Sequence, residues 1–151
     1  MIGKIVNNKV VFPPVNDGVK LNVYQDPEWL EANGFHELTE EELKPVRDAE
    51  NKSRIQRRID SINKKCDKAI LNDFKWKDHE FYLSMENQMN FANMFMAKDY
   101  LTYPQTIKTK TGYIELQNAE EVTEFYFAGI NFVKEQLEKC WKEKQRFEKN
   151  K

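Results

Sequence analysis

Glycine and histidine, on which many phosphate-binding and catalytic sites depend, are scarce in this sequence. Its 151 residues include five glycines and two histidines, and neither a GxGxxG nor a GxxxxGK(S/T) pattern occurs. Without such a glycine-rich loop, a nucleotide-hydrolysing phosphate site is not expected. His36 is expected in a connecting segment and His79 at a turn tip, with no carboxylate placed to orient either ring. We therefore expect no enzyme, no catalytic residue and no cofactor.

Cysteine and long apolar runs are equally sparse. Cys66 and Cys140 are the only cysteines, and their wide separation is poor evidence for a zinc or redox centre. Both fall at apolar positions of predicted helices, so we expect small core residues and no metal site. No window is long enough for a membrane span, and MIGKIVNNKVVF lacks the apolar block of a signal peptide. We expect a soluble protein made in a reducing cytoplasm, without a membrane partner.

Neither sign of charge dominates. The net charge of −1 gives no general attraction to nucleic acid. The distribution is uneven, because residues 1–45 hold four Lys against eight Asp and Glu, whereas residues 46–72 hold eight Lys and Arg against four acids. The basic block is interpreted first as a solvated helix face or as a complement to the acidic segment.

The first 45 residues predict a small, partly β module. IGKIV and KVVF flank Asn7-Asn8, a sequence typical of a hairpin turn, and a further strand is predicted over residues 19–24. A short helix follows, whose start and stop are predicted by Asp26, Pro27, Asn33 and Gly34. Pro45 is expected to limit any helix begun just before it to one turn.

Residues 46–151 predict a second domain in the order helix, hairpin, helix, hairpin, helix. Both long helices carry apolar residues in steps of four and three, as in a heptad seam. The predicted seam residues are Ile55, Ile59 and Ile62, continued by Cys66 and Ala69, and Tyr126, Ile130, Val133 and Leu137, continued by Cys140. The seams predict two long antiparallel helices within one chain, or pairing between chains. The fold class predicted is α+β.

Two hairpins and a short helix are predicted between the long helices. Residues 74–84 alternate around Asp78-His79, and residues 106–116 alternate around Thr111-Gly112. Methionines at helical spacing predict the short helix over residues 86–98. The residues expected to face inward from the hairpins are Phe74, Trp76, Phe81, Leu83, Ile107, Tyr113 and Leu116.

The stretch FYLSMENQMNF, residues 81–91, is rich in amides, methionines and aromatics and carries one charge. A solvated helix face would carry Lys and Glu, and a plain core Leu and Ile, so the stretch predicts either an unusual core or a recognition surface. On a recognition surface, arginine would bind phosphate, amides would pair with base edges and an aromatic ring would stack. The candidate ligand-binding residues are Arg57, Arg58, Tyr82, Asn87, Gln88 and Asn90. Alternatively, the arginines are solvated and the amides bond to turns or to a neighbouring subunit.

The succession FKWKDHEFYLSMENQMNF, YPQTIKTKTGYIEL and AEEVTEFYFAGINFVKEQLEKCWKEK resembles a domain of unknown function found in bacteriophage tail fibre, baseplate and tail-assembly proteins. That domain has an aromatic hairpin, a Ser-x-x-Asn-Gln segment, a second hairpin and a closing helix. The resemblance covers residues 46–148, and residues 1–45 are only loosely similar. The matching residues are Trp76, Phe81, Ser84, Asn87, Gln88, Asn90, Tyr113, Leu116 and the helix from Asn118.

The resemblance implies a structural or assembly role in a phage particle. The protein would be a dimer or trimer in contact with other tail proteins, in the host bacterial cytoplasm or in the virion. It also implies that Asn87 and Gln88 tie the hairpin backbone to the helices, while methionines fill the space between them. The alternative is a small phage-encoded protein that sequesters a nucleotide-like host signal or inhibits a host anti-phage defence factor.

Overall fold

A computed structural model describes residues 1–149 of the chain. The fold is mixed α and β, as predicted, and divides into an N-terminal unit, Met1–Arg57, and a C-terminal unit, Arg58–Lys151. The helices are α1 (Pro27–Ala32), α2 (Glu40–Asn72), α3 (Met85–Met96) and α4 (Ala119–Lys149). The strands are β1 (Ile2–Val6), β2 (Lys9–Val11), β3 (His36–Glu37), β4 (Phe74–Trp76), β5 (His79–Phe81), β6 (Gln105–Lys108) and β7 (Tyr113–Leu116).

The N-terminal unit contains an antiparallel sheet in the order β2–β1–β3. Asn7 and Asn8 have φ angles of 52° and 61°, as a two-residue hairpin turn between right-twisted strands requires, which confirms the predicted hairpin. The strand predicted over residues 19–24 is wrong. The Asp17 carboxylate instead accepts the N–H groups of Val19 and Lys20, at 2.9 and 2.6 Å, and curls this segment into a turn.

Helix α1 begins as predicted. The Asp26 carboxylate accepts the N–H groups of Glu28 and Trp29, at 3.1 and 3.3 Å, and Pro27 occupies the first helical position. Gly34, after the last turn, has a φ of 80°, where glycine is favoured. The buried apolar residues of this unit are Val23, Leu30, Phe35, Leu38, Leu43 and Val46.

Helix α2 does not stop at Pro45, contrary to the prediction. Thr39 and Glu42 form a reciprocal capping box, with hydrogen bonds of 3.2 and 2.9 Å, that starts the helix at Glu40. Pro45 lacks the N–H that would bond to the carbonyl four residues earlier. Leu43 and Val46 are buried on either side of it, and their burial offsets the loss of that hydrogen bond.

The C-terminal unit has a core of aromatic rings. Phe125 of α4 is 1% exposed, and its ring centroid lies 5.1 Å from that of Phe81 and 4.8 Å from that of Phe91. Edge-on and tilted contacts of this kind are favourable beyond the area they bury. The buried residues of this core are Phe74, Phe81, Leu83, Ile107, Leu116, Val122 and Phe125.

The predicted antiparallel packing of the long helices joins the C-terminal half of α2 to that of α4. The Cys66 thiol lies 3.7 Å from the carbonyl of Gln136, and the Cys140 thiol lies 3.6 Å from the carbonyl of Ile62. Residues further along α2 therefore contact residues nearer the start of α4, as antiparallel helices do. Both cysteines are buried, as predicted, and Leu137 packs against them.

The two hairpins of this unit differ from the prediction in detail. Lys77 and Asp78, with φ angles of 48° and 63°, form the first turn, so the predicted Asp78-His79 tip is wrong and His79 pairs with Trp76 in the ladder. Tyr113 was predicted to face inward but is 70% exposed. The register explains the error, since Ile107 lies opposite Ile114 and shares its face, whereas Tyr113 lies opposite Lys108.

None of the helices within residues 1–149 combines the length and the apolar character needed to cross a membrane.

Candidate binding grooves

The amides at the start of α3 hold it to the segment that follows β5. Ser84 caps the helix by accepting the N–H of Asn87 at 3.1 Å. The Asn87 side chain donates to the carbonyl of Tyr82 at 2.8 Å, and the Gln88 side chain donates to the carbonyl of Leu83 at 2.9 Å. The predicted tie between these amides and the hairpin backbone is confirmed. Helix α3 is therefore fixed in register against the first hairpin.

Three of the four methionines of α3 do not fill the core, contrary to the prediction, whereas Met94 packs against it. Met85, Met89 and Met96 are 74%, 63% and 79% exposed. Their spacing of four and seven residues places them on one side of the helix, which we call the methionine stripe. Phe91 and Phe95 take the core positions instead, and the Phe95 ring is stacked 4.5 Å from Tyr126 of α4. The compact rings fill the space next to α4, and the three methionines of the stripe are left facing solvent.

An open apolar groove runs between α3 and α4. Its volume is about 280 Å³. Gln88 contributes an amide and Lys134 a charge, and most of the remaining lining is carbon. The lining residues are Phe74, Leu83, Gln88, Phe91, Phe125, Tyr126, Gly129, Ile130, Val133, Lys134 and Leu137. Apolar side chains exposed along a groove of this kind mark a site for another apolar surface.

The predicted seam residues are divided between different surroundings. Ile62 is buried with the two cysteines, and Leu137 packs against that cluster while also lining the apolar groove. Tyr126, Ile130 and Val133 line the groove. Ile55, in the N-terminal unit, and Ile59, in the C-terminal unit, are both half-buried. The first half of the α4 seam therefore faces an open groove.

A second groove, which we call the polar groove, lies on the other side of α3, toward β6. Its volume is about 760 Å³. Tyr82, Asn87 and Asn90, three of the predicted ligand-binding residues, meet here, together with two lysines that the sequence reasoning missed. The lining residues are Tyr82, Asn87, Asn90, Phe91, Asn93, Met94, Ala97, Leu101, Gln105, Thr106, Ile107, Lys108, Thr109 and Lys110.

The missed lysines lie at the end of β6 and just beyond it. The Lys110 backbone N–H donates to the carbonyl of Glu80 at 2.8 Å, which joins the two hairpins. Its ammonium donates to the carbonyl of Asn72 and lies 4.9 Å from the centre of the Tyr82 ring. Lys108 is exposed. The alternation in TIKTK was the available signal, but it could not show that β6 would lie beside α3.

The other predicted ligand residues lie elsewhere. Gln88 lines the apolar groove. The Arg58 guanidinium lies 5.1 Å from the centre of the Phe147 ring, a cation–π contact at the helix pair. Arg57 belongs to the N-terminal unit, where it lines a groove together with Asn8 and other residues of the β1–β2 hairpin and α2. The six residues therefore do not form one site.

One histidine has a carboxylate partner that was not predicted. His36 Nε2 lies 2.8 Å from Oε1 of Glu42, and this contact raises the pKa of His36 above its usual value. The pair is exposed, and Glu42 also accepts the N–H of Thr39 in the cap of α2. We therefore interpret the His36–Glu42 pair as part of that helix cap. Within residues 1–149, no group of three or more His, Cys, Asp and Glu side chains is arranged to hold a metal ion.

Comparison with family models, with curated proteins and with solved structures finds no match to this chain. The likeness to phage tail proteins therefore depends on the sequence segments quoted above, and it stays a prediction.

Proposed function

We propose that this protein is a non-enzymatic bacteriophage component, associated with the tail or its assembly, that works by self-association and by contacts with other tail proteins. The tail assignment is supported by the resemblance of residues 46–148. Self-association is supported by one observation above all: Tyr126, Ile130 and Val133, which repeat as an oligomer seam does, line an open apolar groove.

The occupant of the groove, in this proposal, is a second copy of the chain. The methionine stripe lies on α3, whose adjoining residues Gln88 and Phe91 line the groove. A ridge and a groove on neighbouring faces of one helix are what a two-fold interface needs, because each copy then inserts its ridge into the groove of the other. Methionine suits this role, since its unbranched side chain adapts to an irregular partner surface.

The size and chemistry of the groove also favour a protein partner. At about 280 Å³ it falls just below the range of roughly 300–1,000 Å³ typical of small-molecule pockets. Its lining is mostly apolar, as in the grooves into which an amphipathic helix lays its apolar face. Side chains projecting from a helix fill such a groove without needing polar partners.

The test is sedimentation velocity and native mass spectrometry of the purified chain over a range of concentrations. We expect a dimer that Met89→Glu and Ile130→Glu each convert to a monomer, because a carboxylate in the interface would lose its hydration in a mostly apolar groove. Asn131→Glu is the matched control, since Asn131 is exposed next to Ile130 but does not line the groove.

A wild-type chain that stays monomeric at every concentration would overturn self-association. Equal dissociation by Asn131→Glu would show that general repulsion, and not the groove, accounts for the effect. The tail assignment has its own measurement, which is to search for peptides of this chain in purified virions of the phage that encodes it and in its tail-assembly intermediates. Their absence from both would contradict that assignment.

A further inference from the structure

The polar groove has the charge of an anion site. Lys108 and Lys110 contribute two ammonium groups, and no Asp or Glu is among its lining residues. Across the whole chain acids outnumber bases, with 25 Asp and Glu against 24 Lys and Arg. A groove of this size that is lined by lysines and lacks acids therefore stands out from the average surface.

Lys110 is held in place before any ligand arrives. Its ammonium is fixed by the carbonyl of Asn72, at the last residue of α2, and by the face of the Tyr82 ring. Its backbone N–H is fixed by the carbonyl of Glu80. Such anchoring means that little side-chain entropy remains to be lost on binding. Lys108, by contrast, has no ion-pair partner within residues 1–149 and is exposed at the end of β6.

The amides that line the same groove have hydrogen-bonding capacity to spare. The side-chain NH₂ group of Asn87 donates to the carbonyl of Tyr82, and the side-chain oxygen of Asn87 accepts no hydrogen bond within residues 1–149. The side chains of Asn90 and Asn93 make none within the same part of the chain, and both residues are exposed. An amide offers a donor and an acceptor side by side, as the edge of a nucleobase does.

The groove also has an apolar floor. Phe91, Met94 and Leu101 line it and are half-buried. A flat heterocycle laid on this floor would have its edge near the amides and a phosphate near the ammonium groups. These observations point to a ligand with three parts: an anionic group, a planar body and a polar edge.

We propose that the polar groove is a binding site for a nucleoside phosphate. Lys108 and Lys110 would bind the phosphates, Asn90 and Asn93 the edge of the base, and the floor its face. A nucleic acid strand fits less well, because two lysines would neutralise few of its phosphates. The volume of about 760 Å³ matches a single small molecule. This inference is independent of self-association through the apolar groove.

The test is isothermal titration calorimetry of the full chain with ATP, GTP, CTP and UTP in turn, and with sodium pyrophosphate. We expect at least one nucleoside triphosphate to bind more tightly than pyrophosphate. Lys108→Glu should weaken that binding by about tenfold or more, since it replaces an attraction by a repulsion. Asn90→Asp should weaken it by a smaller factor, because it removes the amide donor and adds a negative charge.

The matched controls are Lys142→Glu and Asn131→Asp, which make the same changes at exposed positions of α4 that do not line the groove. We expect them to leave the affinity within about twofold of the wild type. Equal affinity for pyrophosphate and the triphosphates would overturn the role of the base. Absence of binding at millimolar concentrations of all four nucleotides, or equal weakening by the controls, would overturn the site.

Discussion

Each of the two units is stabilised internally by a different kind of interaction. In the N-terminal unit, carboxylates hold turns and helix starts, and several large apolar side chains face solvent, among them Val19 at 94% and Leu21 at 78% exposure. In the C-terminal unit, rings from β4, β5, α3 and α4 meet around Phe125, which is 1% exposed. A short segment that buries little of its apolar surface can still adopt one conformation when its backbone N–H groups have fixed acceptors.

This contrast explains where the pKa shifts of carboxyl groups are found. Backbone N–H groups lower the pKa values of Asp17, Asp26 and Glu42, and all three residues belong to the N-terminal unit. In the C-terminal unit, burial raises the pKa values of Tyr103 and Cys66. The stability of the N-terminal unit is therefore expected to depend on pH, and the stability of the C-terminal unit on the packing of its core.

The largest effect should follow from removing a ring. Phe125→Ala should destabilise the C-terminal unit by about 3–5 kcal/mol, because it loses buried apolar area and leaves a cavity among several other rings. Val23→Ala, at the most buried apolar position of the N-terminal unit, should cost about 2 kcal/mol. Hydrogen exchange measured by mass spectrometry distinguishes the effects of the two variants. Phe125→Ala should reduce protection around β4, β5 and α4, and Val23→Ala should reduce it in the N-terminal unit. A cost below that of Val23→Ala would contradict the comparison.

A smaller effect should follow from removing one amide. Gln88→Ala should cost about 1–3 kcal/mol, because it removes the donor to the carbonyl of Leu83, a residue that is 3% exposed. Asn90→Ala should change stability by less than about 0.5 kcal/mol, because Asn90 is exposed and its side chain makes no hydrogen bond within residues 1–149. Urea denaturation of both variants provides the measurement. Equal costs would mean that Gln88 contributes no more to stability than a surface amide.

The smallest effect should be the acid sensitivity of the N-terminal unit. Because the folded-state pKa values of Asp17 and Asp26 lie below the usual 3.8, their stabilising contribution is complete above that value and is lost as the pH falls through the folded values. Trp29 donates to Asp17 at 2.8 Å, so its fluorescence in a Trp76→Phe, Trp141→Phe background should report the change.

Asp17→Asn should reduce this acid transition, because the amide does not titrate. His36 acts in the opposite direction: its raised pKa favours the folded state below pH 6.5, and that contribution is lost as the pH rises through the folded value. A Trp29 signal that does not change between pH 5 and pH 2 would contradict the proposed role of the carboxylates.

Several features set by neighbouring residues were predictable from the sequence, although the Asp17 turn and the exact tip of the β4–β5 hairpin were not. The Asn7-Asn8 turn and the Asp26 cap each need only a few consecutive residues, and both are found. Asn118 also starts α4 as expected, since its side chain accepts the N–H of Glu121 at 2.9 Å. Local hydrogen bonds of this kind leave a direct trace in residue spacing.

Features that depend on distant partners were not predictable. Pro45 lies inside α2 because buried neighbours support the helix there, which no local rule shows. Tyr113 and the methionine stripe have apolar periodicity but face solvent, since Ile114 and Phe95 take the core positions. The same limitation applies to the grooves. The spacing of α4 identified its seam, but it could not show which part would lie open or that Lys108 would line the same groove as the amides of α3.

The two thiols at the helix pair have a chemical consequence. Cys66 and Cys140 each contact a carbonyl of the opposite helix, and burial together with the neighbouring Cys140 raises the pKa of Cys66 to about 12. Alkylating reagents attack the thiolate, so Cys66 is protected from them for as long as the helices stay paired. The rate at which such a reagent labels it measures how often α2 and α4 separate, and the chain thus contains its own probe of local opening.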